Sequence, residues 1–377
     1  MAEKVNEFTF KLANFLIEED GRLFAFSISG FIAYLTLSLV NKGLTGSTKD
    51  QLIDLLNCNF SNIEISNTRS RMENQCTDLL RMNQFSKIGS AKSAIFHSKP
   101  VMEIFSQIAL EYYDTEMRSV DPTNNDLQQA RINAWGNTLL EVPYTNIFVE
   151  SYNEELSLLI MNEYFARFKW KIPFHPQATR RGFFKDIGMN EIAVNFLKKV
   201  EYLKYYNDTA LGASIVFLSL EEYDTYGAIV LPYPDNNIQD LLRKIKSQKI
   251  YVWFHDSDAI RIELHLPEFE LVNRISLKPF LEHNKLSSLF NKNGADLTNM
   301  IKNGAFINDY MHVSSIRLND KGSYVTTATE DPRRSYTSSK TLKFIADKPF
   351  ILYFYDKSNN LILYISVVTT PFNYYKK

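Results

Sequence analysis

The chain of 377 residues carries 42 basic and 43 acidic side chains, so it has no overall charge that would attract nucleic acid or an anionic membrane. Its 45% hydrophobic and 14% aromatic residues exclude a mainly disordered chain and are typical of a folded protein with a large core. Its two cysteines, Cys58 and Cys76, are too few for a disulfide framework and favour a reducing compartment.

The N-terminal segment predicts an amphipathic helix, because its apolar residues recur at helical spacing and form one stripe. The stripe consists of Val5, Phe8, Leu12, Phe15 and Leu16. The first seven residues mix acidic and basic side chains and lack the apolar stretch of a secretory signal. We therefore expect a cytoplasmic protein.

The stretch from Leu23 to Val40 contains no charged residue, and its length lies at the lower limit for a membrane-spanning helix. Its hydroxyl-bearing residues and Gly30 reduce its apolar content, and the flanking Arg22 and Lys42 show no bias of orientation. We interpret it as a buried core helix and expect no membrane partner. A membrane-anchored protein is the alternative.

Two more helices are predicted in a helix-rich part that extends to about residue 165, each from apolar spacing behind a possible cap. The first has a possible capping box of Thr48 and Gln51 before Leu52, Ile53, Leu55 and Leu56. The second has Asn125 and Asp126 as possible caps before Ile132, Trp135 and Leu139. Its stripe is typical of a helix that lies on a sheet.

Strands are predicted to dominate the C-terminal part. Residues 260–266 alternate between apolar and polar side chains, the two-residue period of a half-buried strand. The apolar runs 350–355 and 361–368 are joined by a short polar segment, which predicts a hairpin of two largely buried strands. Helices first and strands later favour the α+β class.

The sequence contains no enzyme motif: GxSxG, HExxH, GxGxxG and the P-loop pattern are all missing. The six histidines lack the spacing of metal ligands, and the two cysteines form no CxxC pair. We therefore predict that the protein is not an enzyme and has neither a metal site nor a cofactor.

Residues 319–345 form a long segment of small and polar residues that contains Pro332 and two arginines. Long loops of this kind are usually functional or disordered. A flexible surface loop without a function is the alternative interpretation.

Within this segment, Asp320–Thr329 resembles the hinge of the reactive-centre loop of the serpin family, in which a glycine precedes a run of small residues. Other stretches in the expected order extend the resemblance over essentially the whole chain. They are Ser27–Leu39, Ser119–Asp121, Ile132–Trp135, Met161–Trp170, Leu266–Leu271, Leu289–Leu297, Ala346–Phe350 and Leu361–Pro371.

The resemblance implies a single serpin domain over residues 1–377, of the α+β class and monomeric. Helices of the N-terminal half would pack on a large central mixed sheet accompanied by two further sheets. The reactive-centre loop would be exposed at about residues 322–345. The resemblance also places Ser27, Asn162 and His312 at the family's shutter, where polar side chains link strands that must part, and Trp170 at the breach above it.

The function implied is that of a suicide substrate for a serine protease, which is trapped as an acyl-enzyme when the cleaved loop enters the central sheet. The expected hinge residues are Gly322, Ser323, Tyr324, Val325, Thr326, Thr327, Ala328 and Thr329. Alternate members, starting with Ser323, would face the interior of the sheet.

Two departures from the family pattern argue against inhibition by this mechanism. Tyr324 stands where inhibitors usually carry an acidic residue, and larger side chains replace alanines after it. Further along, Asp331 would face inward and Pro332 lacks an N–H for the sheet. The alternative is a serpin-fold protein that does not inhibit, and instead binds a partner protein or is cleaved as a simple substrate.

The spacing of the family puts the reactive bond at Tyr336–Thr337, which predicts a chymotrypsin-like target protease. Arg334–Ser335 is a competing bond that suits a trypsin-like protease, whose acidic pocket pairs with guanidinium. The N-terminus resembles the intracellular, signal-less serpins of animals and large DNA viruses. That resemblance suggests action on host proteases that control inflammation or cell death.

Overall fold

The computed structural model describes residues 1–18, 24–58, 80–136, 156–292, 294–322 and 341–373. Its α-helices are distributed over both halves of the chain. They are α1 (Ala2–Glu18), α2 (Gly30–Gly43), α3 (Gly46–Leu55), α4 (Glu103–Tyr113), α5 (Asn125–Gly136), α6 (Ile238–Lys244), α7 (Ser247–His255) and α8 (Lys278–His283).

The strands begin early in the chain and occupy much of its second half. They are β1 (Phe26–Ile28), β2 (Gly89–His97), β3 (Thr115–Ser119), β4 (Leu158–Ala166), β5 (Arg180–Lys185), β6 (Glu191–Asp208), β7 (Ala213–Ser219), β8 (Thr225–Pro232), β9 (Asp258–Pro267), β10 (Phe269–Ser276), β11 (Ile307–Leu318), β12 (Leu342–Ile345), β13 (Phe350–Asp356), β14 (Leu361–Val368) and β15 (Phe372–Asn373).

The central sheet is mixed and, among the described residues, has six strands in the order β15-β10-β11-β4-β2-β3. Its middle strands β4 and β11 run parallel to each other, and His312 of β11 lies opposite Asn162 of β4. Each of them pairs antiparallel with its outer neighbour, β2 or β10. We call the line of contact between β4 and β11 the seam.

The other sheet has nine strands among the described residues, along the order β1-β14-β13-β8-β7-β6-β9-β12 with β5 also on β6. Strand β6 has 18 residues, pairing with β5 and β9 along most of its length and with β7 at its end. Strand β6 thus joins the two further sheets that we expected into one continuous sheet.

The uncharged stretch forms β1 and α2, and nearly every residue of α2 is buried. The side chain of Ser29 caps α2 by accepting a hydrogen bond from the Ile32 N–H, with the two atoms 3.1 Å apart. Within the described ranges, no helix is long and apolar enough to cross a membrane. The buried core helix is therefore confirmed.

The predicted N-terminal helix, the strand over 260–266 and the C-terminal hairpin are all confirmed. The order of helices before strands is wrong, because β2 and β4 lie within the part expected to be helical and α6, α7 and α8 lie in the second half. The α+β class itself is confirmed, since the helices pack on a mixed sheet.

Both predicted helix caps are wrong. Helix α3 begins at Gly46, and Thr48 is buried inside it with its hydroxyl 3.0 Å from that of Ser288. Helix α5 is capped by Asn124, whose side-chain oxygen accepts from the Leu127 N–H at 2.9 Å. The Thr48 hydroxyl makes a tertiary contact and does not cap its own helix. The cap of α5 lies one residue earlier than expected. Leu139 lies outside the described residues.

Candidate functional site

The chain reverses direction at the end of β11 in a tight turn over Asn319–Gly322. The Asn319 N–H donates to the Gly322 carbonyl at 2.7 Å, and the Gly322 N–H donates to the Asn319 carbonyl at 3.2 Å. Gly322 also pairs antiparallel with Lys169, just beyond the end of β4. Gly322, the predicted hinge glycine, therefore lies at the mouth of the seam, between the ends of its two strands.

Only glycine fits this position. Gly322 has φ +127, and a Cβ added there would lie 2.3 Å from the Phe168 carbonyl oxygen. The positive φ is a backbone conformation that L side chains rarely adopt, and the contact is with backbone that cannot rotate away.

Trp170 connects the hinge turn to the core. Its backbone N–H donates to the Lys321 carbonyl at 3.1 Å, and its indole Nε1 donates to the Asn319 carbonyl at 3.4 Å. The ring is 2% exposed and packs edge-on against Phe168 with 5.0 Å between ring centroids. A movement of the hinge turn therefore disturbs a buried aromatic side chain.

Asn162 holds three elements together on the inner face of the seam. Its Oδ1 accepts from Tyr310 Oη of β11 at 2.6 Å, and its Nδ2 donates to Ser93 Oγ of β2 at 2.6 Å. The same amide also donates to Thr36 Oγ1 of α2 at 3.1 Å. Because every one of these groups is buried, their hydrogen bonds have no competition from water.

His312 forms the second polar link across the seam. Its Nδ1 is hydrogen-bonded to Tyr164 Oη at 2.8 Å, and this hydroxyl also accepts from the Ser29 N–H at 3.0 Å. Burial lowers the pKa of His312 to about 3, so the ring is neutral. Its Nε2 has no hydrogen-bond partner in the described part of the chain.

Ser27 links the two sheets rather than the two seam strands. Its Oγ donates to Asn273 Oδ1 of β10 at 2.9 Å and accepts from Tyr364 Oη of β14 at 2.9 Å. Its carbonyl accepts from Ser314 Oγ of β11 at 2.8 Å. Ser27 therefore makes no direct bond to Asn162 or His312, although it lies in the same buried polar layer.

Sequence reasoning missed several members of this layer, which carry no local motif: Ser29, Thr36, Ser93, Tyr164, Asn273, Tyr310, Ser314 and Tyr364. A hydroxyl or amide within an otherwise apolar run was the signal that could have found Ser29, Thr36 and Tyr164.

The remaining predicted site residues lie outside the described residues: Ser323, Tyr324, Val325, Thr326, Thr327, Ala328, Thr329, Arg334, Ser335, Tyr336 and Thr337. After them comes β12, which pairs parallel with β9 at the edge of the nine-stranded sheet. The segment between Gly322 and Leu342 thus connects the mouth of the seam to the other sheet. Within the described ranges, no group of His, Cys, Asp or Glu could hold a metal ion.

Comparison with known proteins gives a consistent result. The family model described as Serpin (serine protease inhibitor) matches residues 3–371. Mouse neuroserpin is 25% identical over 366 residues, which cover 89% of this chain and 84% of the relative. Human antithrombin-III is 23% identical over 78% of this chain, and the match spans 65% of that relative's length.

Solved structures show the same fold. Human thyroxine-binding globulin superposes with a TM-score of 0.85 at 16% identity, covering 99% of this chain and 98% of that one. The thermophilic serpin Tengpin gives a TM-score of 0.83 at 17% identity, with 98% and 94% covered. Together with the family model over nearly the whole length, these findings show that the chain belongs to the serpin family.

Proposed function

We propose that this serpin inhibits a serine protease as a suicide substrate, and that its cleaved loop enters the seam as a new strand. The observation that carries the proposal is the position of the hinge, because Gly322 lies between the ends of two parallel strands that pair directly with each other. A chain running back from Gly322 would be antiparallel to both strands, and antiparallel pairing is the more stable kind.

The pairs made by Gly322 support one register for the inserted strand. Continuing its pairing with Lys169 along β4 brings Thr329 opposite Asn162. Continuing its pairing with Asn319 along β11 brings Thr329 opposite His312. Asn162 and His312 already face each other in the closed sheet, so the two extrapolations agree.

In this register, the residues facing inward are Ser323, Val325, Thr327 and Thr329, which are small or β-branched and uncharged. Tyr324 would face outward between Arg167 and Arg317, both of which are exposed. The first eight residues of the loop are therefore compatible with entry into the seam.

Cleavage at either candidate bond frees a strand of suitable length. Cleavage after Tyr336 would leave residues 323–336 free to insert, and cleavage after Arg334 would leave residues 323–334. For comparison, strand β11 is 12 residues long. We favour Tyr336–Thr337 and a chymotrypsin-like protease, because the serpin spacing points to it. Arg334–Ser335 and a trypsin-like protease remain the alternative.

The chemistry belongs to the protease. Its serine attacks the carbonyl of the reactive bond, and the peptide bond breaks as the C-terminal part leaves with the new amino group. The N-terminal part of the loop stays bound to the serine as an acyl-enzyme. Entry of that part into the seam then carries the protease along and distorts its oxyanion hole before water can release the acyl group. The serpin supplies the bait and the free energy of strand insertion, and no catalytic residue.

A second candidate is a serpin that binds a partner protein or is cleaved as a simple substrate. It is favoured by Asp331, which the same register would place facing inward between Ile160 and Tyr310, two fully buried neighbours. A buried, unpaired carboxylate is strongly unfavourable, and Pro332 offers no N–H to the next strand. Insertion would then end near Thr329.

The test is incubation of the purified protein with chymotrypsin-like and trypsin-like proteases, followed by denaturing electrophoresis and mass spectrometry of the released peptide. We expect a covalent complex that survives denaturation and a peptide that begins at Thr337. A peptide beginning at Ser335 would instead identify Arg334–Ser335 as the reactive bond. Cleavage without any complex would contradict inhibition and favour the second candidate.

A monomeric state, a single domain over 1–377, a cytoplasmic location and a role against host proteases of inflammation or cell death stay predictions. Size-exclusion chromatography with light scattering tests the first of them directly.

A further inference from the structure

The outer face of the seam is covered by helix α5 through a small separate core, which we call the front core. It joins residues of α5 to residues of both seam strands, so it crosses the seam. Its members are Ala94, Phe96, Val120, Ile132, Trp135, Leu156, Leu159, Met161, Met311 and Val313. Any strand that enters the seam must therefore separate part of this core.

A buried ion pair lies beside the front core. Glu163 of β4 is 0% exposed, and its Oε2 lies 2.8 Å from Lys92 Nζ of β2, whose side chain is 12% exposed. The two residues are direct neighbours in the pairing of β2 with β4, and Val313 flanks Glu163 across the seam. Glu163 Oε1 has no hydrogen-bond partner in the described part of the chain.

Lys92 also binds the last described turn of α5. Its Nζ donates to the carbonyls of Trp135 and of Gly136, the latter at 3.1 Å, and lies 4.2 Å from the centroid of the Trp135 ring. Hydrogen bonds from an ammonium group to carbonyl oxygens are charge-assisted and therefore stronger than those between neutral groups. One ammonium group thus joins β2, β4 and α5.

All these polar contacts lie on the β4 side of the seam. On the β11 side, the front core places the apolar side chains of Met311 and Val313 together with those of α5. Burial raises the pKa of Glu163 and lowers that of Lys92, with only partial compensation from the pair itself. Burying this ion pair therefore costs free energy that the attraction between the two charges only partly offsets. A gain in stability does not explain the pair, which points to a positioning role.

We propose that Lys92 is a positioning residue that anchors α5 over the seam and thereby limits how fast the seam opens. Glu163 holds the ammonium group beside α5. The link to inhibition rests on the proposed function, since seam opening is the step that admits the cleaved loop.

The experiment is hydrogen exchange by mass spectrometry on the full chain, compared between wild type and Lys92→Met. We expect amides of α5 and of β4 and β11 to exchange roughly tenfold faster, the effect of losing one charged hydrogen bond. Amides of β7, β8 and β13 should keep their wild-type rates. Lys198→Met is the matched control, because it removes a lysine 2.7 Å from Glu263 in the nine-stranded sheet.

A second variant covers the case in which the lone Glu163 charge prevents folding. Lys92→Met/Glu163→Leu leaves no buried charge, so its global stability should equal or exceed that of wild type while α5 and the seam still exchange faster. Equal acceleration of all slow amides, or a faster α5 with unchanged seam strands, would overturn the proposal.

A synthetic peptide of residues 323–336 tests whether the contacts of Lys92 affect strand insertion. It should enter the double variant faster than wild type, measured with a fluorescent label on the peptide. Failure of the peptide to enter either protein would contradict the proposed loop insertion, while the exchange data would still decide the role of Lys92.

Discussion

At the scale of single residues, Gly322 beyond the seam and His312 within it have properties that are unusual for their residue types. At Gly322, the Phe168 carbonyl oxygen leaves no room for a Cβ. His312 is neutral because it is fully buried. Both properties come from the surroundings of the residue and can be tested by one substitution each.

Gly322→Ala should destabilise the closed protein by about 3 kcal/mol, because a strained φ and a backbone clash act together. Gly304→Ala is the matched control, since Gly304 also has a positive φ, +74, but nothing lies within 4 Å of an added Cβ. The control should lose only about 1 kcal/mol. Equilibrium urea unfolding of both variants measures the difference, and equal losses would show that the clash is relieved.

Acidification should destabilise the protein through His312. Its pKa is about 3 in the folded protein and has the ordinary histidine value of 6.5 once the chain unfolds, so between these values the unfolded chain binds a proton that the folded chain excludes. Stability from this group is complete above the unfolded pKa and decreases as the pH falls below it. We expect the free energy of unfolding to be about 2 kcal/mol lower at pH 5 than at pH 7.5.

Urea unfolding at both pH values, on wild type and His312→Gln, checks this prediction. The variant should lose that part of the pH dependence. Identical pH dependence in the two proteins would mean that His312 does not titrate on unfolding.

At the scale of elements, the seam and the turn at Gly322 set the register of the proposed inserted strand. Strands β4 and β11 are in direct register, and Gly322 pairs with residues beyond the end of each. The register therefore assigns neighbouring loop residues to opposite faces, and a charge should be tolerated on one face alone.

Val325→Glu should prevent insertion, because it would place a carboxylate inward between Ala166 and Ile316, which are buried. Tyr324→Glu introduces the same charge one residue earlier, facing Arg167 and Arg317, and should permit or favour insertion. The yield of covalent complex with the target protease measures both. Equal yields, or the reverse order, would contradict the register.

At the scale of the whole molecule, the closed state has its two central parallel strands in direct contact. Cleavage at 334–335 or 336–337 should therefore raise the melting temperature, since the new strand adds antiparallel pairing on both sides. Calorimetry of intact and cleaved protein tests this, and Val325→Glu should show no such rise. An unchanged melting temperature in cleaved wild type would favour the partner-binding alternative.

The sequence by itself determined the elements whose burial follows a local period. Alternation at 260–266 predicted β9, and the absence of charge in 23–40 predicted the buried α2. A period of two or of 3.6 residues reports which face is buried, and this can be detected in a short window of sequence.

Only the tertiary structure decided the partners. Ser27 binds Asn273, which lies 246 residues away, and Tyr164 binds His312, which lies 148 residues away. Likewise, the ion pair of Lys92 with Glu163 depends on strand register, and the buried hydroxyl of Thr48 is taken by Ser288 rather than by its own helix. No local pattern specifies these pairs, because each exists only where packing brings two distant strands or helices together.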